Sequence, residues 1–159
     1  NHFFPHDILD RKTRRVPWYH EDEFYYKEYA KTFKNIVDAG GKIGVGSHGE
    51  MQGICFHWEL WNIQSGGMAP MHALKSATKV GADALGFSGD LGSIEIGKLA
   101  DIILLESDPL IDIKNTASIK YVMKNGILYD AKSLDTIWPV KKEMAPQYWH
   151  NDSPVNSNN

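Results

Sequence analysis

Between Glu21 and Gly46 the chain spells out a helix, a stop and a strand, and that order restricts its fold more than any other feature. Apolar residues fall at Tyr25, Tyr29, Phe33, Ile36 and Val37, a helical stripe. Glu21, Asp22 and Glu23 occupy the first turn, where the helix dipole favours acids. Gly40-Gly41 closes the helix, which is expected over Glu21–Ala39. Lys42 to Gly46 (Lys-Ile-Gly-Val-Gly) then reads as a short strand. An apolar, glycine-interrupted strand suits a buried parallel sheet in which another backbone approaches closely. Helix, glycine turn and strand make half of a βαβ unit. Residues 47–55 become the loop after the strand's C-terminal end.

The flanking sequence has a different character on each side. Residues 1–20 are aromatic and basic, and Pro5 and Pro17 predict an irregular segment there. Residues 56–65 read as a helix stopped by Gly66-Gly67, and Pro70 opens a further helix that runs to Gly86. Beyond it the pattern turns to β. Strands are expected at Ser93–Ile96, Ala100–Leu105, Ile119–Lys124 and Ile127–Tyr129, the last two joined by Asn125-Gly126, a two-residue hairpin signal. The tail from Ala145 is polar and rich in Asn and Ser, and disorder is expected from Asp152 onward.

Composition removes several classes of function. With 42% hydrophobic and 23% charged residues a packed core is within reach. A net charge of -3, with no basic cluster longer than Arg11–Arg15, argues against a nucleic-acid binder. No apolar run approaches the roughly 20 residues of a membrane-spanning helix. Cys55 is the single cysteine, so no internal disulfide supports the fold.

Three stretches together resemble the C-terminal part of the amidohydrolase superfamily. The first is Asp38-Ala39-Gly40-Gly41-Lys42-Ile43-Gly44-Val45-Gly46-Ser47-His48, similar to that family's last barrel helix and eighth strand. The second runs from His57-Trp58-Glu59-Leu60 through Gly66-Gly67-Met68-Ala69-Pro70 to Ala73-Leu74 and Ala77-Thr78. The third is the most specific: Leu85-Gly86, then Asp90 to Leu105 with its Gly-Ser…Gly-Lys-Leu-Ala-Asp run, then Asp108-Pro109-Leu110. The Gly-Ser-His-Gly loop, His-Trp-Glu and the Asn115–Asp130 hairpin further resemble amidohydrolases fused behind a TolB-like β-propeller in exported bacterial proteins.

The resemblance implies an α/β fold: the C-terminal portion of a (β/α)₈ TIM barrel followed by strands of a small β-sandwich domain. On that plan residues 1–86 hold the last barrel units and following helices, 87–144 the β segment of a composite small domain, and 145–159 the polar tail. The implied activity is hydrolysis of amide or other C–N bonds by a metal-activated water, with a divalent metal, zinc first. The family places a His-x-His pair on its first barrel strand, and this chain has none. Most of the metal site is therefore expected elsewhere, and the chain alone is expected to be inactive. The implied partners are an amide substrate, small or peptide-like, the remainder of the barrel, and a second copy of the chain. A periplasmic or secreted location follows from the subgroup.

His48 is the residue on which the chemistry turns. It stands where the family's eighth strand ends in an Asp that binds metal and takes the proton of the metal-bound water. Imidazole can do either job, with an unperturbed pKa of about 6.5 against about 3.9 for Asp, but it brings no negative charge. Its other reading is a hydrogen-bonding residue of a mouth loop. Glu50, two residues on, is a candidate to supply the missing carboxylate or to contact substrate, against a solvated loop acid. His57 is a candidate substrate contact, against a histidine packed beside Phe56 and Trp58. Glu59 is expected to brace the loop or to cap backbone N–H groups. His2, His6 and His20 fall in a segment expected near the barrel mouth, Asp101 reads as a turn or strand-edge residue, and Cys55 as a small buried apolar one. The rival to a hydrolase is a non-catalytic binding or assembly module in which the Asp-to-His change marks lost hydrolysis.

Overall fold

The computed structural model describes residues 4–13, 20, 24–49, 51 and 53–150. Among the described residues five α-helices come first: α1 (His6–Thr13), α2 (Tyr26–Asp38), α3 (Ile54–Ser65), α4 (Pro70–Ser76) and α5 (Lys79–Ala84). Four short strands follow: β1 (Ile102–Leu105), β2 (Ile119–Lys124), β3 (Ile127–Asp130) and β4 (Thr136–Trp138). A 3-10 turn, Ile113–Ala117, lies between β1 and β2.

Helix α1 departs from the irregular segment expected over residues 1–20. Pro5 immediately precedes it and its carbonyl accepts from Leu9 N at 3.4 Å. A proline at a helix start gives up only an N–H that has no helical partner anyway. In α2 the buried face is Ala30, Phe33 and Val37, at helical spacing, while Tyr25, Tyr29 and Ile36 of the expected stripe stay exposed. Only one flank of the stripe meets α3. The three acids expected in its first turn lie outside the described residues.

The core is small and sits between α2, α3, α4 and the 3-10 turn. Leu60, Ile63, Met68, Ala73 and Ile113 are buried, and Phe33, Val37, Ile43, Val45, Trp61, Leu74 and Ala77 pack around them. The predicted strand at Lys42–Gly46 is extended but unpaired. Ile43, Val45, Ser47 and Gly49 turn inward in alternation, the period of a strand. Among the described residues its one backbone hydrogen bond is Val45 N to Ser76 O at 3.2 Å, because no described strand lies beside it to complete a ladder, and Lys42 Nζ meets Asp83 at 3.5 Å.

Two further expectations change. The single helix after Pro70 is broken at Thr78, whose backbone leaves the helical region (φ -132, ψ -95) and whose hydroxyl donates to Leu74 O. Ser93–Ile96 forms a fastened loop instead of a strand. The Lys98 ammonium donates to Ser88 O at 2.7 Å and to Ser93 Oγ at 2.6 Å, and Ser93 Oγ donates to Glu95 at 2.6 Å. Side chains thus occupy the segment's polar partners in place of a neighbouring strand.

The strands form one antiparallel sheet in the order β1-β2-β3-β4. Asn125 and Gly126 both take positive φ, 48 and 78, as the two-residue turn between β2 and β3 requires. Asp101 stands at the edge of β1, and its carboxylate accepts from Asn125 N at 2.6 Å, while Gly126 N donates to Ala100 O at 3.1 Å. The hairpin tip is thereby tied to the start of β1. The architecture among the described residues is helical core plus small antiparallel sheet; the parallel barrel strands and the second sandwich layer are not among them.

Candidate functional site

The extended segment after α2 delivers Ser47, His48 and Gly49 to the rim of a cavity of about 770 Å³. Helix α3 builds the opposite wall with Cys55, Trp58, Glu59, Trp61, Asn62 and Ser65, and Tyr26 and Lys114 complete it. These α3 residues recur at three- and four-residue spacing, one face of a helix. The loop reaches that face closely at Gly49. A β-carbon there would stand 1.9 Å from Cys55 Cβ, so only glycine lets the backbone pass. Ser47 Oγ accepts from Gly49 N at 3.2 Å and holds the turn.

His48 is exposed at this rim, on the same cavity as Glu59. Among the described residues Glu59 forms no hydrogen bond to the loop it was expected to brace; it faces the cavity instead. Glu50 and His2 lie outside the described residues, so their expected roles stay with the sequence. Cys55 is half-buried against Gly49 and also lines the cavity.

His57 is held apart from this cavity. Its Nδ1 lies 3.1 Å from Thr116 Oγ1, and its ring sits against Phe56 and Trp61. Burial pushes its pKa below the ordinary 6.5. His6 starts α1, which places it on a helix and not in a mouth loop.

Asn62, Ser65, Lys114 and Tyr26 of the cavity escaped the sequence reading. Asn62 lines the cavity, and its Oδ1 is buried with no hydrogen-bond partner among the described residues. Lys114 reaches the site from the 3-10 turn. Tyr26 reaches it from α2. None sits in a recognisable motif; only the convergence of α2, α3 and the 3-10 turn brings them together. Chemically the cavity offers aromatic walls, an imidazole and an ammonium as donors, and a carboxylate and an amide oxygen as acceptors. Among the described residues no three His, Cys, Asp or Glu side chains lie close enough to hold a metal ion, so these residues do not fit one by themselves.

The amidohydrolase family's sequence profile matches residues 5–128, most of the chain. The chain belongs to the amidohydrolase family. It is 30% identical over 105 residues to the ochratoxinase of Aspergillus niger, covering 64% of this chain and 22% of that protein. Solved relatives include a Xaa-Pro dipeptidase with bound methionine (35% identity, TM-score 0.58, 64% of this chain and 25% of that one). A putative prolidase from Bifidobacterium longum (29%, TM-score 0.55, 72% and 28%) and phenylurea hydrolase B (30%, TM-score 0.52, 67% and 28%) are also similar. The chain therefore spans about a quarter of the length of the proteins it matches.

Proposed function

We propose that the chain forms part of a metal-dependent hydrolase that cleaves amide or other C–N bonds with a metal-activated water, and that it presents His48 to that reaction. The observation that carries this reading is the gathering of His48, Glu59 and Asn62 on one aromatic-walled cavity, at the end of the extended segment leading from α2. Family membership supports hydrolysis, and the names of the relatives, a dipeptidase and a phenylurea hydrolase among them, support a bond to nitrogen as its target. The cofactor in this reading is a divalent metal, zinc first. One imidazole cannot hold it, so its other ligands come from beyond the described residues. The TolB-propeller subgroup and an exported location belong to the same proposal, as does self-association through the apolar surface left by the sheet.

The test is His48→Ala in the complete hydrolase. Turnover of an N-acyl amide is expected to fall by at least about tenfold, equivalent to about 1.4 kcal/mol of barrier, with less zinc bound per chain by elemental analysis. Unchanged zinc content together with unchanged turnover removes His48 from the site, and full turnover with no bound metal removes the metal.

A further inference from the structure

Thr116 is buried, with 3% of its surface exposed, and its hydroxyl meets three groups. It lies 2.8 Å from Ile113 O, 3.0 Å from Trp61 Nε1 and 3.1 Å from His57 Nδ1. A hydroxyl has one proton to donate and two lone pairs that accept. The indole N–H only donates and the carbonyl oxygen only accepts. The proton therefore goes to Ile113 O, one lone pair takes Trp61, and the other is left for His57. Were the proton turned toward His57, two acceptor oxygens would face each other 2.8 Å apart with nothing between them. His57 Nδ1 must then carry a hydrogen. Burial disfavours the charged ring, so the second nitrogen is bare.

We propose that Thr116 is a positioning residue that fixes His57 as its Nδ1–H tautomer, so that Nε2 is held out as a lone pair for a ligand bringing an N–H or O–H donor, or for a proton. No described group pairs with Nε2, and the residue as a whole is half-buried. The device joins two parts of the fold: the ring stands on α3 and the hydroxyl on the 3-10 turn before β2. The role assigned to Nε2 requires a ligand that reaches α3 outside the cavity of the proposed function; the tautomer does not, and the experiment reads the tautomer alone.

The experiment is long-range ¹H–¹⁵N correlation on the full chain with ¹⁵N-labelled histidine at pH 7.5, His57 being assigned by the signal lost in His57→Gln. Nδ1 is expected to resonate as the protonated nitrogen and Nε2 as the unprotonated one. Thr116→Ser, which keeps the hydroxyl, is expected to preserve that pattern, and Thr116→Val to lose it through averaging of the two nitrogens or a switch to Nε2–H. A protonated Nε2 in the unaltered chain overturns the proposal without recourse to any variant. So does a Thr116→Val chain that stays folded and keeps the Nδ1–H pattern.

Discussion

At the residue scale, the side chains that decide most are not those with the most conspicuous chemistry. Lys98 has only 11% of its side chain exposed and ties together Ser88, Ser93 and Glu95. Within the Gly-Lys-Leu-Ala-Asp run Lys98 fastens the loop behind it and Asp101 the hairpin ahead of it. Lys98→Met keeps the stem but removes the donor from Ser88 O, and is expected to cost about 1–3 kcal/mol. Urea unfolding, read as a lower midpoint at unchanged slope, checks it. The same ion pair and the Ser93 hydroxyl hold the Glu95 carboxyl below its usual range, with the hydroxyl the larger cause.

His57 supplies the pH dependence at this scale. Its folded pKa lies below the ordinary 6.5, so the unfolded chain binds a proton more readily. Stability from this group is complete above that value and is lost as pH falls from it through the lower folded pKa. The unfolding midpoint is expected to drop between pH 7 and pH 5 more steeply in the unaltered chain than in His57→Gln. Parallel curves would show that His57 carries no such linkage.

At the scale of elements, local signals were legible where local physics decides. The hairpin is the clearest case, because Asn-Gly pairs tolerate the two positive φ angles that join twisted strands. Gly126→Ala places a β-carbon at φ 78 and is expected to cost about 1–2 kcal/mol, measured by thermal unfolding. Helix α3 was legible too: the helix expected over residues 56–65 begins two residues earlier, at Ile54, and stops before Gly66 as expected. Proline signals were less informative about α1, since the same residue that breaks a helix interior also begins one. The strand at Lys42–Gly46 shows the limit in the other direction. Its alternation is present, yet a strand is a relation between two segments, and the second is not among the described residues.

At the scale of the molecule, the sheet ends in edge strands β1 and β4, and a large apolar surface adjoins β1. Ile94 and Ile96 are 82% and 108% exposed, and Ile103 and Leu104 on β1 are also exposed. Such an edge is a template for another chain. The purified chain is expected to self-associate with rising concentration in sedimentation velocity, and Leu104→Lys to shift it toward monomer. A single monomeric species at every concentration would sink the self-association reading.

The sequence by itself determined the family, the hairpin and the helix before His48, because each is written in residues adjacent along the chain. It singled out His48 and Glu59 but not Asn62 or Lys114, which meet them on one cavity. Nor did it show that His57 turns instead to Thr116, 59 positions away. Those relations were decided by the tertiary structure alone. Packing α3 between α2 and the 3-10 turn selects which helix face meets the cavity and which meets the buried hydroxyl, and no local propensity encodes that choice.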